Sequence, residues 1–441
     1  MAKEIIIVHG NNTLSGTVDV SGAKNSALKL IAASILAQGV CTLRNVPRIS
    51  DIDVMMEVLS VLGARVGRLD DEGEPHTLVV DTSNLDSYET PYELVSQMRA
   101  SISVLGPLIG RFGRALVAMP GGCQIGARKI DMHLRGLEAL GVTFNVEHGY
   151  LRAEAENGLK GAHVMLDFPS VGATENLLMA SVCAQGTTYI ENAAREPEIV
   201  DLANMLNEMG AHVEGAGNST ITIQGVEPSC LHPCEHVTVG DRIEAGTFLV
   251  GGALTGGPLT VNGIDPSFLR MAITKLREMG CEVDEGSSSV TVKRNRPLKP
   301  VEIQTLPHPG FPTDLQAQFM LLAACANGTS VITENVFENR FMFAAELARM
   351  GAEVFIEDHH AIVRGGRKLQ GAPVSSTDLR AGAALVLAGI VAEGETRVHK
   401  ISHIDRGYEG YVEKLRSLGA DVNRELPYPN YRTTVRVNAE A

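Results

Sequence analysis

Seven cations in this chain suit anion chemistry: Lys24, Arg99, Arg128, Arg242, Arg340, Arg380 and Arg406. Guanidinium and ammonium groups are the side chains that grip phosphate and carboxylate. Three of them stand at segments that read as helix starts, namely Ser21-Gly22-Ala23-Lys24-Asn25, Asp241-Arg242-Ile243-Glu244 and Thr377-Asp378-Leu379-Arg380, with Pro312-Thr313-Asp314-Leu315 and Ser170-Val171-Gly172-Ala173-Thr174 as two further starts. Ser, Thr and Asp there act as N-caps, and the free N–H groups and dipole of a helix start favour an anion. Several such starts aimed at one cleft would hold a multiply charged anion. Plainer readings stand beside this one. Asp314 serves equally as an ordinary cap, and Glu338-Asn339-Arg340 or Asp405-Arg406 as surface ion pairs worth ~0 to 1 kcal/mol.

One thiol is set apart from the other six. Cys123 lies in Pro120-Gly121-Gly122-Cys123-Gln124-Ile125-Gly126-Ala127-Arg128, where three glycines let a loop move. Arg128, Lys129 and His133 follow closely, and cationic neighbours lower a thiol pKa. The alternative is a small buried hydrophobe, the usual state of a free cysteine. Three other patterns carry less. Ser21-Gly-Ala-Lys24 has the Ser-x-x-Lys spacing of serine β-lactamases but lacks their Ser-Asp-Asn and Lys-Thr-Gly partners. Cys230-Leu-His232-Pro-Cys234-Glu-His236 alternates possible zinc ligands yet fits no closed zinc motif. Gly121-Gly122-Cys-Gln-Ile-Gly126 has no acidic residue about 20 positions on to complete a dinucleotide fingerprint.

A repeat must position these groups. Leu62-Gly63-Ala64, Leu140-Gly141-Val142, Met209-Gly210-Ala211, Met279-Gly280-Cys281, Met350-Gly351-Ala352 and Leu418-Gly419-Ala420 are six copies of one phrase, their glycines 78, 69, 70, 71 and 68 residues apart. A period of 20–50 residues or somewhat more marks a repeated supersecondary unit. Before each copy runs an apolar stretch with i, i+3, i+4 spacing, such as Leu202–Met209, so each glycine is expected as a left-handed C-cap. A second glycine precedes each by 24, 28, 24, 24, 23 and 25 residues. The unit reads helix, strand, helix, then two or three strands, and its Ala-rich helices must bury one another. Unit two is the long one, and its extra residues fall at Cys123. Insertions in repeats map to loops, often on the binding face.

Composition bounds the rest. The 441 residues are 44% hydrophobic and 20% charged with a net charge of −14, which describes a globular chain and disfavours a nucleic-acid partner. The start offers four consecutive apolar residues before His9, too few for a signal-peptide core. The longest apolar run, Ala381 to Ala392, is far short of the ~20 residues of a membrane span. Seven scattered cysteines read as free thiols in a reducing cytoplasm.

Nine colinear motifs, from Ser-Gly-Ala-Lys24-Asn25 and Met-Arg99-Ala-Ser through Pro-Gly-Gly-Cys123-x-Ile-Gly-Ala-Arg128, Glu196-Pro-Glu198, Asp-Arg242-Ile-Glu-x-Gly-Thr, Phe-Pro-Thr-Asp314, Val336-Phe-Glu338-Asn-Arg340-Phe and Thr-Asp378-Leu-Arg380 to His-Ile-Asp-Arg406-Gly-Tyr, resemble the enolpyruvyl transferases. Within them the chain is most similar to the UDP-N-acetylglucosamine 1-carboxyvinyltransferases. The resemblance implies a two-domain inside-out α/β barrel of six repeats, three per domain, helices inside and sheets facing water. It implies a first domain over residues 22–230 that carries the Cys123 loop, and a second over 1–21 plus 231–441. The implied reaction moves the enolpyruvyl group of phosphoenolpyruvate to the 3′-hydroxyl of UDP-N-acetylglucosamine and releases phosphate, the first committed step of peptidoglycan synthesis.

The resemblance also assigns roles. Cys123 is the general acid on the methylene and can carry a covalent phospholactoyl adduct; Asp314 is the base for the 3′-hydroxyl. Lys24, Arg128 and Arg406 hold phosphoenolpyruvate, with Arg340 and Arg380 completing a cationic wall that also takes in Arg242. Asn25 bonds the sugar or the tetrahedral intermediate. Arg99, Arg128, Lys129, Ile130, Asp131, Met132, Phe168, Pro169, Ser170, Val171 and Val336 line the nucleotide side. No cofactor and no metal are implied; the fosfomycin epoxide is expected to alkylate Cys123. The chain departs from familiar members at Ser103, where a Trp often stands, and at Phe168-Pro169, where a Lys is frequent. The nearest rival is a 3-phosphoshikimate 1-carboxyvinyltransferase-like enzyme, whose Ser-Lys-Ser start is absent here; the other is a non-catalytic sensor on the same fold.

Overall fold

A computed structural model describes residues 4–69, 74, 76–95, 99–119 and 130–426, the side chains of 99–101 excepted. Among these residues the strands form six small sheets, five of four strands and one of three. One layout recurs. In the fifth unit the order is Glu302–Gln304, Thr329–Thr333, His360–Arg364, Glu353–Glu357. The first pair is parallel, Ile303 opposite Ile332, and the others antiparallel, with Ser330 opposite Val363 and Phe355 opposite Ile362. Each sheet hides one face. In Thr220–Gln224, Ile221 and Ile223 are buried while Thr220 and Gln224 are exposed, the period-two alternation of a sheet wet on one side.

Helices fill the inside. In Arg242–Thr255 every residue but the last is buried, and Leu379–Val391 is nearly as enclosed. Small side chains permit that packing: a Cβ on Gly246 would stand 2.6 Å from a Leu315 methyl, and one on Gly106 would stand 2.4 Å from the Asn176 carbonyl oxygen. The second helix of each unit is amphipathic, as in Pro197–Glu208, which starts on a proline and ends against Gly210. All six repeat glycines, 63, 141, 210, 280, 351 and 419, have φ between +93° and +101°, the left-handed conformation a C-cap glycine supplies without a Cβ penalty.

Buried apolar residues gather into two cores, one drawn from Ala27 to Leu231 and one from Ile6 to Val20 together with Ile243 to Val422. The two lobes exchange strands. Ile5–His9 inserts between Glu395–His399 and Val422–Glu425, and Gly16–Asp19 lies parallel to Leu259–Asn262. In return Glu235–Val237 lies parallel to Val40–Arg44 in the other lobe. The two crossings run antiparallel side by side: Ala23 N donates to Val239 O at 2.7 Å, Asp241 N donates to Ser21 O at 2.9 Å, and Gly22 bridges Gly240. Both glycines are required there, since a Cβ would fall 1.6 Å from the Asn45 oxygen and 1.9 Å from the Gly263 oxygen. This paired crossing places Lys24 and Arg242, the residues that follow it, between the lobes.

Candidate active site

Lys24 opens the helix Lys24–Ala33 directly after the crossing, and its backbone N–H donates to Asp241 Oδ2 at 3.2 Å. Its ammonium stands 2.6 Å from Asp51 Oδ2, and both side chains are buried. Asp51 belongs to the first turn of Ser50–Val61. Its other oxygen accepts from Arg406 Nε at 2.8 Å, so one carboxylate aligns a cation from each lobe. Burial, with Arg380 and Arg406 nearby, draws the Lys24 pKa below its ordinary value against the pull of Asp51. Burial opposes ionisation of Asp51, but Lys24 and Arg406 together hold its carboxyl below the usual range.

Asp314 organises a second group. It sits in the turn Thr313–Leu315 ahead of Gln316–Cys325, Oδ1 2.8 Å from Arg340 Nη2 and Oδ2 3.2 Å from Arg380 Nε. Arg340 also donates to Thr313 Oγ1 at 2.9 Å, and Thr313 donates to Glu334 Oε2 at 2.9 Å. Glu334 Oε1 accepts the backbone N–H of Val336 at 2.9 Å and of Phe337 at 3.0 Å, which shapes the loop that carries Val336 and Arg340. Arg380 enters helix Leu379–Val391 beneath the Asp378 cap. It is 2% exposed, lies 5.2 Å from the Tyr408 ring centroid, and keeps Nη1 buried with no hydrogen-bond partner among the described residues. A buried donor of that kind is costly until an acceptor meets it.

A third pair ties the lobes together. Arg242 Nε donates to Glu198 Oε1 at 3.0 Å, both groups buried, and the His308 N–H donates to Glu196 Oε1 at 3.2 Å. Burial and the charge of Arg242 push the His308 ring down to about 4, so it is neutral near pH 7. The three groups share one electrostatic neighbourhood: Lys24 feels Arg380 and Arg406, and Arg242 feels Asp314. Lys24, Arg242, Asp314, Arg340, Arg380 and Arg406, widely separated in sequence, therefore meet, with half-buried Asn25 beside Lys24. Chemically, this is a wall of paired cations, able to exchange carboxylate partners for the oxygens of an incoming anion.

The expected nucleotide residues form another grouping. Asp131 and Met132 start the helix Asp131–Ala139 just after Ile130, and Ser170 caps Val171–Ser181. Arg135 bridges them, 3.1 Å from Asp131 and 2.7 Å from Asp167; Phe168 is exposed, with Pro169, Ser170 and Val171 half-buried. Arg99 opens a short helical turn but its side chain lies outside the described residues, as do Cys123, Arg128 and Lys129. Ser103 is buried. Sequence reasoning passed over Asp51, Glu334 and Tyr408 as site residues. An acid in the first turn, which Asp51 is, was the one available signal, and it is indistinguishable from ordinary dipole compensation.

Comparisons with known proteins converge on one kind of enzyme. The family model described as EPSP synthase (3-phosphoshikimate 1-carboxyvinyltransferase) matches residues 8–415. A UDP-N-acetylglucosamine 1-carboxyvinyltransferase of Desulfatibacillum aliphaticivorans is 52% identical over 419 residues, covering 95% of this chain and 99% of that relative. A UDP-N-acetylglucosamine 1-carboxyvinyltransferase 1 of Staphylococcus aureus (strain N315) is 51% identical over 420 residues, with the same coverage of 95% and 99%. Among solved structures, the enolpyruvyl transferase NikO from Streptomyces tendae superposes with a TM-score of 0.86 at 30% identity over 96% of this chain and 99% of its own. An EPSP synthase from Acinetobacter baumannii gives 0.73 at 19% identity, over 96% and 100%, a likeness of fold.

Proposed function

The chain belongs to the EPSP synthase family of enolpyruvyl transferases, and from that premise we propose that it transfers the enolpyruvyl group of phosphoenolpyruvate to the 3′-hydroxyl of UDP-N-acetylglucosamine, releasing phosphate for peptidoglycan synthesis. The observation that carries the acceptor is the identity of about half over nearly the whole length with enzymes of that name. The shikimate-pathway alternative rests on the family match alone.

The 3′-oxygen adds to C2 of phosphoenolpyruvate while C3 gains a proton, giving a tetrahedral phosphate ester; C3 then loses a proton as the C2–O bond to phosphate breaks. Asp314 takes the hydroxyl proton and Cys123 supplies the proton to C3, contributions typically of about 10²–10⁴-fold each. Lys24, Arg128 and Arg406 receive the phosphate and carboxylate, and Arg340 and Arg380 carry the rest of the charge. Arg380, with its unpartnered buried Nη1, is the donor best prepared for this; such preset cations act mainly on charge that develops in the transition state. Arg242 orders the cleft through Glu198, and Asn25 takes a sugar or intermediate oxygen. Arg99, Ile130 to Met132, Phe168 to Val171 and Val336 bound the nucleotide. No cofactor or metal enters this reading, because lysine and arginine supply the positive charge; a pyruvate-phosphate adduct on Cys123 is a side state of the same chemistry.

We divide the chain into two domains of three units. The boundaries are those at 22–230 and 1–21 plus 231–441, and the packing of Leu231 in the first core and the pairing of Glu235–Val237 with Val40–Arg44 support carrying the first domain on to Val237. Among the described residues no helix is long and apolar enough to cross a membrane, and the cytoplasm is where we place a reaction between two charged, phosphorylated metabolites. The test is phosphate release from phosphoenolpyruvate with each acceptor in turn. Release that depends on UDP-N-acetylglucosamine is expected. Release that depends on shikimate 3-phosphate and ignores the nucleotide sugar would overturn the proposal.

A further inference from the structure

The motif Cys230-Leu-His232-Pro-Cys234-Glu-His236 has no part in the reaction above, and its histidines are occupied. His236 Nε2 is 2.9 Å from Asp201 Oδ1 and Nδ1 is 2.7 Å from Glu208 Oε2, while the His232 ring lies 3.3 Å from the Pro233 oxygen. Among the described residues no group of three or more His, Cys, Asp or Glu is arranged to hold a metal ion. Cys234 instead has one defined neighbour. The parallel pairing of Glu235 with Thr42, extended back one residue by the hydrogen bond from Thr42 N to Cys234 O at 3.0 Å, sets Cys234 beside Cys41. Adjacent strands lie about 4.8 Å apart, inside the Cα range of about 4.4–6.8 Å that a disulfide spans.

We propose that Cys41 and Cys234 are a redox-modification site, a dithiol that a low-molecular-weight disulfide converts reversibly into an internal disulfide closing the first lobe on itself. Cys41 is fully buried and Cys234 half-buried, so Cys234 is the sulfur an external disulfide RSSR reaches. Its thiolate attacks one sulfur of RSSR, forming a mixed disulfide and expelling RS⁻. The Cys41 thiolate then attacks the Cys234 sulfur and expels the second RS⁻. Two protein S–H bonds are lost, one S–S bond forms, and RSSR is reduced to two RSH. In the dithiol the pairing lowers the Cys41 thiol and raises that of Cys234, so exposure and not acidity makes Cys234 the entry point; once Cys234 is capped, Ser34 and His232 remain beside Cys41 to favour the thiolate of the resolving step. Burial pushes Cys183 and Cys325 up to about 12 and Cys281 up to about 11, and among the described residues none of the three has a cysteine placed beside it by strand pairing as Cys234 has.

The pair joins the first strand of the lobe to its last, just ahead of the crossing at 239–241. A staple across so long a loop acts chiefly on the unfolded chain, so oxidation is expected to raise the denaturation midpoint and leave turnover intact. The experiment uses the full chain, reduced or treated with oxidised glutathione, trapped with N-ethylmaleimide and digested without reductant for mass spectrometry. The expected product is a Cys41 peptide joined to a Cys234 peptide, two hydrogens lighter and separated by dithiothreitol. Cys234→Ser should abolish it with wild-type turnover retained, and Cys230→Ser should leave it intact. If Cys41→Ser fails to fold, Cys234→Ser carries the test alone. N-ethylmaleimide on both residues after oxidation, a glutathione that stays on Cys234, or a link from Cys234 to Cys230 would each overturn the assignment.

Discussion

Asp51 accepts a hydrogen bond from Arg406 at 2.8 Å across 355 residues of sequence, and the same carboxylate holds the Lys24 ammonium at 2.6 Å. A residue that touches two proposed phosphoenolpyruvate ligands at once fixes their spacing. Removing its charge but not its shape, by Asp51→Asn, leaves two buried or half-buried cations without a common anchor. The expected result is a fall of about a hundredfold in kcat/KM for phosphoenolpyruvate, equivalent to roughly 2.7 kcal/mol, with the KM for UDP-N-acetylglucosamine little changed. Steady-state kinetics with each substrate varied in turn reads both numbers, and an unchanged kcat/KM removes Asp51 from the site.

Asp314 carries two obligations that a pair of variants separates. As the proposed base it must accept a proton; as the partner of Arg340 and Arg380 it must offset charge. Asp314→Ala is expected to lose about 10²–10⁴ in kcat while calorimetry still detects UDP-N-acetylglucosamine binding. Asp314→Glu retains the charge but moves the carboxylate, so it should recover folding stability more fully than turnover. Wild-type rates in the alanine variant would exclude a role in proton transfer.

The buried Arg242–Glu198 pair joins the lobes. Deleting one member of such a pair strands the other charge and typically costs about 3–5 kcal/mol. Glu198→Ala should therefore lower the denaturation midpoint sharply, while the double variant Glu198→Ala with Arg242→Met should recover much of the loss. Denaturant titration of the two variants decides this; equal stabilities would mean that the pair does not couple.

The repeat made much of this architecture legible in advance. Gly63, Gly141, Gly210, Gly280, Gly351 and Gly419 share a residue type because they share a left-handed φ, a local requirement that the sequence cannot satisfy silently. The strand exchange was legible only through resemblance: nothing in Ile5–His9 distinguishes a strand paired with its successor from one paired with Glu395–His399, because both present alternate apolar residues to a core. Asp51 was lost for the same reason, its meaning being set by Arg406 far along the chain and not by its neighbours.

Cys123 and its reactivity have a direct chemical test. Because the glycine-rich segment and the cations that follow it favour an accessible thiolate, fosfomycin at low excess is expected to add once, at Cys123, and UDP-N-acetylglucosamine to alter the rate of labelling. Peptide mapping locates the adduct. Labelling of Cys230, the exposed cysteine among the described ones, ahead of Cys123 would show that exposure and not activation governs the chemistry.

Glu175 provides a pH signature. It is fully buried, 2.9 Å from Lys29, and burial outweighs that ammonium and pushes its carboxyl up to about 7 from 4.5. A carboxyl whose folded value exceeds its unfolded value binds its proton more tightly in the folded protein, so stability is full below 4.5, declines as pH rises from 4.5 through 7, and levels off above. For His236 burial opposes the charged ring, but Asp201 and Glu208 together raise it, so it likewise loses its contribution as pH rises through its folded value, and both slopes have one sign. The difference between the wild type and Glu175→Gln therefore isolates the carboxyl: the wild type should lose roughly 2.5 kcal/mol more than the variant between pH 5 and pH 8. Parallel stability curves for the two proteins across that range would show that Glu175 is ionised when folded and that Lys29, not burial, sets its state.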